Sequence, residues 1–392
     1  MSEQGTAQSG RLSATFRRAI RSDRTAAVLL LGAAVLGLAL TNSLAGPGVL
    51  KASGAMIGPL STSHWISDLL LAVFFFIVAT ELKFELSHGQ LNSVRKALVP
   101  AIAALGGVAF PALIFLALTS GAELAAGWPI PTATDIAFAL GVLAIFGHGL
   151  PTRLRVFILA LAVLDDLVGI MIIATIFTDD VDLAALLGGG ACVAGVAVAS
   201  RMRHRAPRAL TGAMALLAIV AWWLVHESGV HPTIAGVAVG LAITVRQGGA
   251  IAHRLHPWSN TVILPLFAFS AALVVLPQPG TTGPVLTALA IALPVGKTVG
   301  ITVGAVIAAA ISRRHIEHPV LGWDLVALAV IGGIGFTVSL LMNQLAFEAM
   351  PAERDQGVLG VLIGSTSSLV LGAILVSWRA RVYRRNVGAG VP

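Results

Sequence analysis

Charge is what this chain most lacks. Of its 392 residues only 11% are Asp, Glu, Lys or Arg, less than half of the roughly 25% usual in globular proteins. A soluble fold of this length needs far more charge to cover its surface, so a cytosolic enzyme and a disordered chain are both excluded and lipid must solvate much of the exterior. Cysteine is nearly absent. The single Cys192 rules out an intrachain disulfide and any multi-cysteine metal site. A basic face is missing as well: the net charge of +7 points to nucleic acid only where Lys and Arg cluster. Here they lie in small groups between apolar runs, and no nucleic-acid partner is expected. The first 24 residues carry Arg11, Arg17, Arg18, Arg21 and Arg24 without a cleavable hydrophobic core of their own, so the run beginning at Thr25 is expected to be a retained first span.

What the chain has instead is apolar sequence, with 57% hydrophobic residues and 42 glycines besides. A helix needs about 20 apolar residues to cross the hydrocarbon. By that measure there are about twelve spans, near 25–41, 65–82, 97–119, 132–146, 154–177, 183–200, 209–225, 230–245, 257–276, 285–311, 325–348 and 357–378. Cytoplasmic loops hold the excess of positive charge, and an even count puts both termini on one side. On that side fall 22 of the 25 Lys and Arg: the N-terminal five, Lys83, Arg95, Lys96, Arg153, Arg155, Arg201, Arg203, Arg205, Arg208, Arg246, Arg254, Arg313, Arg314, Arg379, Arg381, Arg384 and Arg385. Lys51 and Arg354 fall opposite, among the acidic loops that carry Glu123, Asp179, Asp180, Asp182, Glu227, Glu353 and Asp355. The reading is an all-α, multi-pass integral membrane protein with both termini cytoplasmic. It has a basic tail over 1–24, a transmembrane domain over 25–378 and a second basic tail over 379–392.

Charges inside spans need a reason, because each costs at least about 2.5 kcal/mol at mid-membrane. Asp165 and Asp166 sit near the middle of 154–177, Lys297 lies inside 285–311, and Asp135 opens a short apolar run. Oxygen ligands suit hard cations, and two carboxylates about 5 Å apart repel by about 3 kcal/mol at an effective dielectric near 20. At least one proton is therefore held unless a cation replaces it, which is the chemistry of an antiporter. Lys297 is too central to snorkel, and pairing with one of the aspartates accounts for it. Asp135, which follows Pro129 and Pro131, is read as capping or compensating a broken helix rather than as a ligand.

Two spans are interrupted. The span at 132–146 opens with Thr132, Thr134 and Asp135, and 325–348 contains Gly332, Gly333 and Gly335. Non-helical backbone inside a bilayer must line a cavity or be buried in protein. The interruptions occupy matching places in two triplets of spans, near 97–177 and 285–378, as inverted-topology repeats place them in transporters.

Taken in order, the motifs resemble the NhaA family of bacterial sodium–proton antiporters. They are Pro131-Thr132-Ala133-Thr134-Asp135, Leu164-Asp165-Asp166-Leu167, Ser228-Gly229-Val230-His231, Leu255-His256-Pro257-Trp258, Ile263-Leu264-Pro265-Leu266-Phe267, Gly296-Lys297 and Gly333-Ile334-Gly335-Phe336-Thr337. The resemblance implies twelve helices with inverted repeats, an inner-membrane location, and export of Na+ or Li+ for more than one H+, with no cofactor. It makes Asp166 the principal cation ligand and Asp165 its partner, paired with Lys297, and gives Thr134 and Asp135 to the helix crossing. Glu81, Glu85, His231 and His256 would belong to the pH response. Departures are Phe84 where the family has arginine, Ala252 where well-known members have glutamate, and Phe269-Ser270-Ala271 without the usual asparagine. The segment 42–64, which in the family carries a hairpin used for dimerisation, is rich in Gly and Pro with weak strand alternation, so a homodimer rests on the resemblance alone.

Three other functions compete with this reading. An organic-anion carrier wants arginines facing its substrate, yet Lys297 is the only mid-membrane cation. An intramembrane aspartyl protease wants its two aspartates on separate helices, whereas neighbours on one helix point about 100° apart. A channel is separated from an antiporter by whether sodium and proton fluxes are obligatorily exchanged.

Overall fold

A computed structural model describes residues 23–89, 92–177, 181–202, 206–276, 283–311, 320 and 322–388. The expected N-terminal tail lies outside these but for its last two residues, as do Asp179, Asp180, Arg203, Arg205, Arg313 and Arg314. Apolar sequence without polar alternation leaves the backbone to satisfy itself, and it does so almost wholly as helix. In chain order the helices are α1 (Asp23–Thr41), α2 (Gly46–Ser53), α3 (Leu71–Ser87), α4 (Val94–Leu118), α5 (Ile136–Phe146), α6 (Thr152–Ile176), α7 (Leu183–Met202) and α8 (Pro207–Glu227). They continue as α9 (Thr233–Ala242), α10 (Val245–Trp258), α11 (Leu264–Ala271), α12 (Pro284–Ile291), α13 (Lys297–Ile311), α14 (Trp323–Gly332), α15 (Phe336–Ala346) and α16 (Pro351–Gly388).

Among the described residues seven helices are long and apolar enough to cross a membrane, or nine if each of two bent pairs counts as one span. One bent pair is α14 with α15, which turn by 45°. The N-terminal apolar run becomes α1, whose continuation α2 is folded back by 116°. The apolar run at 257–276 belongs to a longer unit: α10 begins at Val245 and passes through a π-helical turn, Ser259–Ile263, into α11. Another π-helical turn, Ala292–Gly296, joins α12 to α13. The last helix runs on to Gly388, so residues 379–388 of the expected basic tail are helical. A small antiparallel hairpin, β1 (Met56–Ile57) and β2 (Leu60–Ser61), turns through Gly58 at φ +64° between α2 and α3.

A large core joins α1, α3, α4, α5, α6 and α11 through α16. Its tightest seam is α4 against α13. Gly106 and Gly300 meet there backbone to backbone, and a Cβ on either would strike the carbonyl of the other. Gly296 also lies close on Pro111, where a Cβ would fall 2.6 Å from the proline Cα. That seam fixes where α13 starts, and its first residue is Lys297. Helices α7, α8 and α9 form smaller apolar clusters, with Trp222 and Val225 of α8 packed near Ala72 of α3.

Candidate functional site

The site is assembled where two helix breaks cross. After the turn Ile130–Thr132 the chain is extended at Ala133 (φ −81°, ψ 153°) and Asp135 (φ −89°, ψ 104°) before α5 starts. The glycines at 333 and 335 carry α14 into α15 with little room for a side chain: a Cβ at Gly335 would lie 2.9 Å from Leu293 and 3.1 Å from the Ala133 carbonyl. The Asp135 amide donates to the Ile334 carbonyl at 2.6 Å, tying one break to the other.

Two helix N-termini converge here, each a partial positive charge with unsatisfied amides. Asp135 serves both. Its Oδ1 accepts from the Phe138 amide of α5 at 3.2 Å, and its Oδ2 accepts from the amide and the hydroxyl of Thr337 on α15, at 3.2 and 2.7 Å. Ser365 of α16 completes the second cap, its hydroxyl accepting from Gly335 and Phe336 amides at 3.3 Å each.

Asp165 and Asp166, both buried, stand midway along α6. Lys297 is wholly buried and ion-paired to Asp165 Oδ2. Its ammonium also donates to Thr134 Oγ1 at 3.1 Å. That hydroxyl lies 2.5 Å from Asp165 Oδ2 and 2.7 Å from the Gly332 carbonyl that ends α14, and its single proton serves one of them at a time. Asp165 Oδ1 has no hydrogen-bond partner among the described residues. Asp166 faces elsewhere.

A cavity of about 450 Å³ runs from Glu81, Phe84, Glu85, Ala252, His253 and His256 to Thr134, Asp135 and Asp166. Neither Asp165 nor Lys297 is among its walls. Near its mouth Glu81 Oε1 lies 3.9 Å from His256 Nε2, and Asn260 Nδ2 donates to His256 Nδ1 at 3.2 Å. Phe84 stacks on His88 there, ring centroids 5.9 Å apart.

A second polar cavity, of about 530 Å³, opens at the other ends of the same helices. Along α15 Thr337 and Val338 line the first cavity and Leu341 and Gln344 the second, with Ser339 and Leu340 fully buried between. His231 belongs to the second, with Asp68, His226 and Asp355. Its Nδ1 lies 2.7 Å from the Thr233 hydroxyl and accepts from the Thr233 amide at 3.4 Å. Of the nine residues singled out from sequence, five meet at the crossing, three gather near the first cavity's mouth, and His231 stands apart.

Sequence reasoning missed Ser365, because a lone hydroxyl in an apolar span reads as packing. It quoted Thr337 inside a motif without giving it a role. It also missed Lys83, whose ammonium donates to the Leu241 and Ile243 carbonyls at 2.7 and 2.5 Å and closes the C-terminus of α9.

Fold and site together define a multi-pass helical membrane protein with a carboxylate pair buried where its broken helices cross. The family profile described as Na+/H+ antiporter 1 matches residues 17–376. The chain is 54% identical to the Na+/H+ antiporter NhaA 2 of Clavibacter michiganensis, over 93% of each sequence. It is 42% identical to the NhaA antiporter of Tropheryma whipplei, over 95% of this chain and 97% of that one. Against the NhaA antiporter of Thermobifida fusca the identity is 41%, over 93% and 94%. The chain belongs to the NhaA family of Na+/H+ antiporters.

Proposed function

We propose that this protein exports Na+ or Li+ in exchange for more than one H+, cation and protons competing for Asp165 and Asp166, and so controls cytoplasmic sodium and pH. The observation that carries this reading is the unequal placing of the two carboxylates, Asp165 held by Lys297 and Asp166 facing the cavity. An incoming cation meets Asp166 first and gains Asp165 only by displacing the ammonium. Asp135 and Thr134 keep the crossing together without binding the ion themselves. Glu81, Glu85 and His256 set the pH response near the mouth, while His231 contributes at the opposite cavity.

The reading extends to the whole chain as twelve crossings in the bacterial inner membrane, built as inverted repeats near 97–177 and 285–378. The charge distribution supports cytoplasmic termini and a first cavity that opens on that side. A homodimer through the hairpin is supported by the exposure of Met56 and Ile57. The protein is a carrier, not a catalyst of bond chemistry. The test uses everted membrane vesicles holding an acid interior. Addition of Na+ or Li+ is expected to dissipate the pH gradient, and Asp166→Asn to abolish that response; a response that survives in Asp166→Asn refutes the assignment.

A further inference from the structure

Asp324 is a buried carboxylate that takes no part in the crossing. It stands in the first turn of α14, eight residues before Gly332, about 12 Å along the helix axis. Both of its oxygens are taken by α16: Arg379 Nε donates to Oδ1 at 2.6 Å and the Tyr383 hydroxyl donates to Oδ2 at 2.5 Å. Tyr383 is the only tyrosine in the chain. Its ring lies 5.3 Å from the Arg379 guanidinium, and Trp378 packs edge-on against Trp323 with centroids 5.6 Å apart. Arg153, in the first turn of α6, donates to the Tyr383 oxygen at 3.4 Å.

The elements joined at this latch are those whose far parts make the ion site. Helix α14 ends in the Gly332 carbonyl beside Thr134, α16 carries the Ser365 cap of α15, and α6 carries both aspartates. Apolar contact alone would seat α14 on α16, but it tolerates sliding and rotation. A buried, fully hydrogen-bonded charge does not, since any shift leaves it unpaired. A slip of one residue along α14 moves its end by about 1.5 Å and turns it by about 100°, enough to take Gly332 away from Thr134.

We infer that Asp324 is a positioning residue for cation exchange: by fixing the register of α14 against α16 it keeps the Gly332 carbonyl on Thr134, and through Thr134 it orients Asp165 and Lys297. This rests on the exchange reading above.

The test measures Na+-dependent proton flux of the full-length chain in proteoliposomes for Asp324→Asn, Arg379→Gln, Tyr383→Phe, their Asp324→Asn/Arg379→Gln double and Asp324→Glu. Outer partners of metal ligands are commonly worth 10- to 100-fold in affinity. Asp324→Asn and Arg379→Gln are accordingly expected to raise the apparent KM for Na+ about tenfold with the maximal rate retained. The double should be no worse than the poorer single, because both break one unit. Asp324→Glu, which retains the charge, should bring KM back toward the starting value. Variants that melt earlier in detergent yet keep the original KM would show a clamp that is merely structural and overturn the inference, as would effects that multiply in the double. Should Asp324→Asn fail to insert, Arg379→Gln and Tyr383→Phe decide by the same readout. Asp166→Asn is assayed alongside. If it is inactive while the latch variants keep their KM, the latch alone is refuted; if it still exchanges, the site reading falls and the inference with it.

Discussion

Successive residues on a helix point about 100° apart, and at Asp165 and Asp166 that angle separates a carboxylate paired with Lys297 from one facing the cavity. The two are expected to respond differently to the same change. Asp165→Asn and Asp166→Asn should each abolish exchange, since each removes an ionisable oxygen from the shared site. Asp165→Asn also strands the buried ammonium of Lys297, and breaking a buried pair costs about 3–5 kcal/mol. Thermal melts in detergent should therefore drop sharply for Asp165→Asn and little for Asp166→Asn; equal melts would mean that the pair with Lys297 carries no stability.

Among the elements, the broken helices have the most specific requirements, since buried amides must find acceptors wherever the ladder stops. Ser365→Ala orphans the Gly335 and Phe336 amides, which is expected to cost about 1–3 kcal/mol and to weaken Na+ affinity, while Ser365→Thr retains the hydroxyl and most of both. Detergent melts and flux titrations read the two effects separately. Asp135→Asn keeps one oxygen acceptor but loses the full charge between two helix N-termini, so a raised KM with exchange preserved is expected; total loss in a normally inserted protein would make Asp135 a ligand. The positions of these breaks were legible because proline, glycine and a polar run cannot continue a helix in lipid. The partners of the breaks were less so. Asp135 announced itself as a charge in an apolar span, whereas Ser365 lies one helix away in a stretch whose composition is that of ordinary packing. The π-helical turn before Lys297 was harder to read, since Pro294 and Gly296 mark it without the polar run that accompanies the break before α5. The helix that precedes the run at 257–276 was not legible, because α10 is amphipathic and carries no apolar run for a hydropathy count to find. Asp324 escaped notice because an acid at the edge of a span reads as a loop charge until α16 is folded beside it.

At the scale of the whole molecule, two cavities approach the crossing from opposite ends of the helices and only the first reaches Asp166. On the proposed reading, transport consists of exchanging which cavity sees the carboxylates, and the charge carried in each direction follows from the groups that move with them. When a cation takes both Asp165 and Asp166, Lys297 loses its partner in a place with no solvent, where an uncompensated ammonium is far costlier than a neutral amine. On the proposed exchange reading, two protons are released for each Na+ bound, either one from the ammonium and one from Asp166 or one from each aspartate. In either case the loaded and proton-bearing forms would differ by one elementary charge, with net positive charge moving inward each cycle. That charge is worth about 2.3 kcal/mol per 100 mV, so an inside-negative potential should drive Na+ out even with no pH gradient. Proteoliposomes with the potential clamped by a potassium ionophore test this directly, and Na+ efflux indifferent to voltage would remove the second proton from the cycle. Lys297→Gln sharpens the test because it deletes the ammonium's proton while sparing Asp166. Exchange in that variant is expected to be slower and electroneutral. Retained voltage dependence would place both protons on the aspartates and leave Lys297 the task of holding Asp165 in position.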